Sequence, residues 1–119
     1  MGLPSATETW EPDLIRHIVF FTARDRKDLP LILEGLQLLG TIPFVSHFEV
    51  SENARIDQIG NEVDVVVYAE FADEAALAAY KAHPTYAEAT RRVRPLRETR
   101  LAADFKASAE AVQQVRRTA

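Results

Sequence analysis

The sequence predicts one α+β domain whose strands and helices follow the order β-α-β-β-α-β. Two segments, residues 14–23 and 62–71, are rich in β-branched and aromatic residues and are apolar on both faces, as central strands are. Residues 44–51 alternate apolar and polar side chains, which is typical of a half-exposed edge strand, and residues 97–105 form a fourth strand-like segment. This order is the split βαβ arrangement, so we predict a ferredoxin-like, four-stranded antiparallel sheet.

The segments between these strands carry helix signals. Asp28 is the expected N-cap of the first helix, and Gly40 is the residue expected just after its last turn. Between them, apolar residues recur at helical spacing, namely Leu29, Ile32, Leu33, Leu36 and Leu39. Asp73 is the expected N-cap of a second helix. The His83-Pro84 pair breaks that helix, and Pro84 can begin another because the first turn of a helix does not need its N–H.

The sheet is predicted to have one face that the helices do not cover. In the first strand, Ile15, Val19 and Phe21 lie on one face, and Leu14, Ile18 and Phe20 lie on the other. Because the helices of this topology pack on one side only, the second apolar face needs another cover. We therefore predict an isologous homodimer in which two sheets pack together, with a ligand cavity on that face as the alternative.

Composition restricts the classes of partner. The chain has 119 residues, no cysteine and a net charge of −4, so disulfides and thiolate nucleophiles are excluded and nucleic acid is not an expected partner. One basic cluster is predicted to be a solvated surface rather than a phosphate site: Arg91, Arg92, Arg94, Arg97 and Arg100. No apolar run reaches the roughly 20 residues needed to span a bilayer, so no membrane association is expected.

The two ends of the sequence differ from the segment between them. Residues 1–13 are polar and lack an apolar signal region, so we expect an N-terminal tail and a cytoplasmic protein. Residues 106–119 contain good helix formers but few large apolar residues, which predicts a loosely attached C-terminal helix or a tail. The domain itself is predicted to span residues 14–105.

The three histidines lie on three different predicted elements. His47 is expected on the surface of a half-exposed strand, and His83 is expected to cap the helix that begins at Pro84. No pair of histidines has the spacing of a metal site on one helix face. We therefore expect neither a metal ion nor a haem. His17 lies on the same strand face as Ile15 and Val19, and it is the histidine best placed for chemistry.

Several stretches together resemble one known family. They are residues 16–21 (RHIVFF), 42–45 (IPFV), 70–86 (EFADEAALAAYKAHPTY) and 103–105 (ADF). Their order and spacing over residues 14–105 resemble the stress-responsive dimeric α/β-barrel (Dabb) family. The resemblance implies a ferredoxin-like protomer that pairs into a dimeric α/β barrel.

The resemblance also implies candidate site residues. The family includes stress-induced plant proteins without assigned chemistry and olivetolic acid cyclase, which closes a linear polyketide by aldol condensation without a cofactor. Tyr80 matches the tyrosine with which the cyclase orients its substrate, and His17 matches a histidine of the same pocket. Tyr86 stands where the cyclase has its general-base histidine, and a tyrosine is a poor base at neutral pH. The cyclase mechanism is therefore not expected to apply unchanged.

These features leave two functional hypotheses. The first is a homodimeric stress-response domain that is non-catalytic or binds a small hydrophobic ligand. The alternative is a cofactor-free cyclase, lyase or isomerase that acts on a small carbonyl-bearing or aromatic, polyketide-like substrate, with His17 as the base. In that case His17, Tyr80 and Tyr86 are predicted to converge in one catalytic pocket between the sheet and the helices. An open apolar pocket would favour binding or catalysis, whereas a filled one would favour a structural role.

Overall fold

The computed structural model describes residues 13–108 of the chain. Within them, four strands and three α-helices follow the predicted order: β1 (Ile15–Ala23), α1 (Leu29–Gln37), β2 (His47–Glu52), β3 (Val65–Phe71), α2 (Glu74–Ala82), α3 (Pro84–Val93) and β4 (Arg97–Lys106). The sheet order is β2-β3-β1-β4, and every neighbouring pair is antiparallel. The architecture is therefore the predicted ferredoxin-like fold, with β1 and β3 at the centre of the sheet.

Burial alternates along the two central strands. In residues 15–21 of β1 and in all of β3, the odd-numbered residues are buried and the even-numbered residues are half-buried. The buried set packs under the helices and includes Ile15, Val19, Phe21, Val65, Val67, Ala69 and Phe71. The half-buried set points to the opposite face, which no helix of the described residues covers. The prediction that the central strands are apolar on both faces is thus correct. The helices cover one of these faces and leave the other open.

Two of the predicted helix caps are confirmed. The carboxylate of Asp73 accepts a hydrogen bond from the backbone N–H of Ala76 at 2.8 Å and begins α2. Nδ1 of His83 accepts a hydrogen bond from the backbone N–H of Thr85 at 3.1 Å and begins α3. His83 is therefore a capping residue, as predicted.

Asp28 occupies the N-cap position of α1, as predicted, whereas the position predicted for Gly40 at the other end is wrong. The side chain of Asp28 makes no capping hydrogen bond, because residues Arg26–Asp28 form a 3₁₀ turn that precedes α1. Asp25 caps this turn by accepting a hydrogen bond from the backbone N–H of Lys27 at 3.0 Å. Gly40 lies inside a second 3₁₀ turn, Leu38–Thr41, rather than in a left-handed position after the helix. A Cβ at Gly40 would lie 2.7 Å from Cδ2 of Phe48, so close packing explains the glycine.

Strand boundaries shift by a few residues from those predicted. β3 begins at Val65 rather than Glu62. Asp64, just before it, is still hydrogen-bonded through its backbone to Phe21 and Asn53. Its carboxylate accepts hydrogen bonds from the backbone N–H of Ala23 at 2.8 Å and from Arg26 at 2.7 Å, and it pairs with Arg55. β2 begins at His47 rather than Phe44, and β4 continues to Lys106.

The tails predicted for residues 1–13 and 106–119 fall largely outside the described residues. Of these segments, the structure describes Asp13 and residues 106–108. The backbone N–H of Ala107 donates a hydrogen bond to the carbonyl oxygen of Leu14 at 2.9 Å, which extends the contact between β4 and β1 past the predicted strand end. None of the helices within residues 13–108 is long and apolar enough to cross a membrane.

Candidate functional site

A cavity of about 330 Å³ lies between the helix-covered face of the sheet and the helices. Its apolar lining residues are Val19, Phe21, Leu36, Leu39, Val67, Ala89 and Val93. Its polar lining residues are His17, Tyr80, Tyr86 and Thr90, and its cationic ones are Lys81, Arg94, Arg97 and Arg100. The cationic side chains are exposed or half-exposed, so they mark the mouth of the cavity. The cavity has both apolar and polar walls and reaches His17 and Tyr80, which favours binding or catalysis over a filled structural core.

His17 is buried at the centre of the sheet and faces this cavity. Antiparallel pairing of β1 with β4 places it directly opposite Asp104, whose Oδ1 is hydrogen-bonded to the His17 Nδ1. Burial lowers the pKa of His17 below its ordinary value, and this effect outweighs the opposing influence of the Asp104 carboxylate. The imidazole is therefore neutral at pH 7. Its Nδ1–H donates to Asp104, which leaves the lone pair of Nε2 available as a base.

Tyr80 is fully buried in the last turn of α2. Its ring centroid lies 6.2 Å from that of His17 and 4.7 Å from that of Phe71. Within residues 13–108, the buried hydroxyl of Tyr80 has no hydrogen-bond partner. Burial raises the pKa of Tyr80 above its ordinary value, so the phenol stays protonated and can donate. An unpaired buried hydroxyl is costly, which makes it a candidate for binding a ligand.

Tyr86 lies near the start of α3 and lines the same cavity. Its ring centroid is 5.3 Å from that of Tyr80, and its hydroxyl accepts a long hydrogen bond of 3.5 Å from Arg100 Nη2. The fold thus brings His17, Tyr80 and Tyr86 to one cavity. The catalytic roles assigned to these three residues stay a prediction.

Asp104 is a site residue that sequence reasoning missed. Its side chain is 37% exposed, and it is the one described carboxylate that contacts His17. Alternation along β4 does place Asp104 on the same face as Ala102 and Arg100. The sequence alone does not supply the register that sets it opposite His17.

The basic cluster splits into two groups. Arg91 and Arg92 bind Glu88 on the exposed side of α3, and these hydrogen bonds lower the pKa of Glu88 to about 2. For these two residues the predicted solvated surface holds. Arg94, Arg97 and Arg100 are also exposed or half-exposed, but in addition they line the cavity, which was not predicted. They line it because they follow α3, where the chain turns back across the cavity mouth into β4.

The other histidines do not contribute to this site. His47 is exposed, as predicted, and its Nε2 lies 2.8 Å from Oε2 of Glu49 on the uncovered side of the sheet. His83 caps α3. Across residues 13–108, no three histidine, aspartate or glutamate side chains gather as a metal site would require.

Solved structures share this fold. A Dabb family protein with a ferredoxin-like fold from Mesorhizobium loti is 28% identical, with coverage of 81% of this chain and 98% of that chain and a TM-score of 0.68. A dimeric ferredoxin-like protein of unknown function from Thermobifida fusca is 22% identical, with coverage of 84% and 97% and a TM-score of 0.71. A hydroxynitrile lyase from Passiflora edulis is 16% identical, with coverage of 82% and 96% and a TM-score of 0.70.

The sequence comparison agrees with the structural one. No curated protein matches the chain. The sequence model of the stress responsive A/B barrel domain, Dabb, matches residues 15–107, which include every described strand and helix. The chain therefore belongs to the Dabb family of stress-responsive A/B barrel domains.

Proposed function

We propose that this protein binds a small carbonyl-bearing molecule in the cavity and catalyses proton abstraction next to its carbonyl group, without a cofactor. The observation that carries the proposal is the pairing of a neutral, Asp104-bound His17 with the unpartnered hydroxyl of Tyr80 at one cavity. A base and a hydrogen-bond donor side by side are what this reaction class needs.

The proposed step assigns one task to each group. The substrate's C–H bond breaks, its proton bonds to Nε2 of His17, and the electron pair moves through the C–C bond to the carbonyl oxygen. Tyr80 donates a hydrogen bond to the resulting enolate oxygen, and the carboxylate of Asp104 stabilises the imidazolium. The imidazolium then returns its proton to carbon or to a leaving group, which restores the neutral base.

The surroundings of the two groups support this assignment. The burial of His17 and Tyr80 strengthens a hydrogen bond from Tyr80 to the enolate oxygen and favours the neutral form of His17 between turnovers. The hydroxynitrile lyase described above is an enzyme built on the same fold, which is consistent with a catalytic use of this scaffold. Aldol-type cyclisations, and those lyase and isomerase reactions that pass through an enolate, begin with such a proton transfer, so the proposal covers this class rather than one substrate.

Hydrogen–deuterium exchange tests the proposal directly. The probe is 4-phenylbutan-2-one in D₂O, and ¹H NMR follows the loss of the protons next to its carbonyl. We expect the protein to accelerate this exchange and His17→Gln to reduce the acceleration by about 10²-fold, because general-base catalysis contributes about 10²- to 10⁴-fold. Arg91→Gln, outside the cavity, is the matched control and should exchange at the wild-type rate. Equal exchange by wild type and a folded His17→Gln variant would contradict the proposal.

A second candidate function is ligand binding without turnover. The feature that favours it is Tyr86, which by the resemblance noted above stands where olivetolic acid cyclase has its base. In that case the ketone would shift the NMR signals of cavity residues, but no exchange above the buffer rate would be measured for any variant.

We further propose that the protein is a homodimer that pairs through the uncovered face of the sheet. By strand register this face carries Ile18, Phe20, Val66, Tyr68, Leu101, Ala103 and Phe105. Leu101 and Phe105 are 59% and 47% exposed in the single protomer, and Leu101 lies opposite Phe20 of β1. A contiguous apolar surface of this kind marks an interaction site. The similar protein from Thermobifida fusca is described as dimeric, which supports the proposal.

A further inference from the structure

We propose that the cavity selects organic anions, with a ligand carboxylate held by Arg94, Arg97 and Arg100 and an apolar body packed deeper inside. This inference rests on the proposed function, since it requires that the cavity accept a small molecule. It adds the chemical class of that molecule, an amphipathic carboxylic acid.

The cations at the cavity mouth lack the partners that most other arginines have. Outside the cavity, every described arginine except Arg16 pairs with a carboxylate: Arg24 with Glu98, Arg26 and Arg55 with Asp64, and Arg91 and Arg92 with Glu88. By contrast, Lys81, Arg94, Arg97 and Arg100 form no ion pair with any group in residues 13–108. The hydrogen bond from Arg100 to the neutral hydroxyl of Tyr86 leaves its charge uncompensated.

The charge of the mouth is opposite to that of the chain. The protein has 18 acidic residues against 14 lysines and arginines, yet no aspartate or glutamate lines this cavity. Asp104, the nearest candidate, is bound to His17 and lines a neighbouring groove instead. Clefts lined by one sign of charge raise the local concentration of ligands of the other sign. The positive mouth therefore favours an anion over the neutral and cationic forms of the same molecule.

Arginine and the cavity dimensions together indicate the kind of anion. The guanidinium group presents a planar fork of N–H donors that matches a carboxylate in a bidentate geometry. A cavity of about 330 Å³ lined with valine, leucine and phenylalanine fits an aliphatic or aromatic body rather than a fully polar ion. Lys81 and Arg100 also act on His17, because their positive charges help to lower its pKa. A carboxylate bound at the mouth would thus lie close enough to affect the base.

Calorimetric titration with a matched pair of probes tests the inference. The probes are 4-phenylbutanoate and 4-phenylbutanamide, which share one body and differ in charge. We expect the wild-type protein to bind the carboxylate at least about tenfold more tightly, which corresponds to about 1.4 kcal/mol. The double variant Arg97→Gln/Arg100→Gln should reduce this preference to about twofold or less, while the control Arg91→Gln should retain it.

Two further measurements keep the test decisive if the double variant does not fold. Raising KCl from about 0.05 M to about 0.5 M should weaken carboxylate binding to the wild type and leave amide binding unchanged, because salt screens exposed charges. Inorganic phosphate, which lacks an apolar body, should not displace the carboxylate at equal concentration. Displacement by phosphate would overturn the requirement for an apolar body.

The outcomes separate this inference from the proposed function. If both probes bind with equal affinity, the cavity accepts small molecules and the proposed function stands, but selectivity for anions is overturned. If neither probe binds, the inference is overturned, and the ketone exchange decides the proposed function separately. A tenfold preference that survives in a folded Arg97→Gln/Arg100→Gln variant would also overturn the inference, since these arginines would then not be the anion site.

Discussion

The two faces of one sheet carry different chemistry although the same strands supply both. On the helix-covered face, β1 contributes Val19, Phe21 and the buried His17 to a cavity. On the uncovered face, the intervening residues Ile18 and Phe20 form part of a broad apolar surface. A shift of one residue along β1 therefore separates the proposed catalytic site from the proposed dimer interface.

Each face also has one buried polar atom without a partner in the described part of the chain. On the helix-covered face it is the hydroxyl of Tyr80, and on the uncovered face it is Nε of Arg16. Buried polar groups are normally hydrogen-bonded, so each such atom calls for an explanation. We interpret the first as a position for a ligand and the second as a position for the other protomer. The four predictions below test this division.

The largest expected effect is loss of dimerisation when a charge enters the uncovered face. Leu101 on β4 is 59% exposed and Leu31 on α1 is 52% exposed, so they are matched for exposure in the single protomer. In an isologous dimer, Leu101→Glu would bury two carboxylates, one from each protomer. It should therefore raise the dimer dissociation constant by more than about 10³-fold. Sedimentation velocity measures the dimer dissociation constant, and Leu31→Glu should have the same constant as wild type. Equal behaviour of the two variants would place the interface elsewhere.

The next effect concerns stability rather than assembly. Val65 and Val66 are neighbours in β3 that point to opposite faces, and Val65 is fully buried beneath the helices. Val65→Ala should lower the free energy of unfolding by about 2 kcal/mol through the cavity it leaves, without changing the dimer dissociation constant. Val66→Ala should instead weaken the dimer. Chemical denaturation measures the free energy of unfolding, and sedimentation measures the dimer dissociation constant. If Val65→Ala weakened the dimer and Val66→Ala only lowered the stability, the assignment of the two faces would be wrong.

A smaller effect is expected from acid. Burial lowers the pKa of His17 in the folded protein, so between that value and 6.5 the unfolded chain binds more protons than the native one. The contribution of this histidine to stability is complete above pH 6.5 and falls as the pH drops towards the folded pKa. Unfolding curves at several pH values should show this loss for wild type, and His17→Gln should reduce it. An undiminished loss in His17→Gln would assign the acid sensitivity to other groups.

The smallest effect on stability is expected from Tyr80→Phe. The hydroxyl has no partner to lose within the described residues, so the free energy of unfolding should change by no more than about 0.5 kcal/mol. Ketone exchange should nevertheless slow by about tenfold, because the enolate loses its hydrogen-bond donor. A large loss of stability with unchanged exchange would make Tyr80 a structural residue.

Local patterns were enough to predict much of the fold. Alternation in β1 correctly separated Ile15 and Phe21 from Ile18 and Phe20, because side chains in a strand point to opposite faces by geometry alone. Asp73 and His83 were correct as caps, since capping depends on groups two or three residues away. The order of the strands followed from these elements and the split βαβ pattern.

Features that depend on distant parts of the chain could not be predicted. Asp104 lies 87 residues from His17, and only the pairing of β1 with β4 brings them together. Gly40 resembled a helix-ending glycine, but its neighbour Phe48 comes from β2. Arg97 and Arg100 were predicted only as surface charges, because the sequence does not reveal the cavity beneath them.

Nitrogen-15 NMR of histidine-labelled protein can show whether the helix-covered face holds an acid–base site around His17. We expect a neutral His17 ring at pH 7, with the proton on Nδ1 and a signal from Nε2 that shifts when 4-phenylbutanoate is added. The signals of the exposed His47 should stay unchanged by this ligand. A His17 ring that is protonated at pH 7, or an Nε2 signal that does not respond to a ligand bound in the cavity, would rule out such a site.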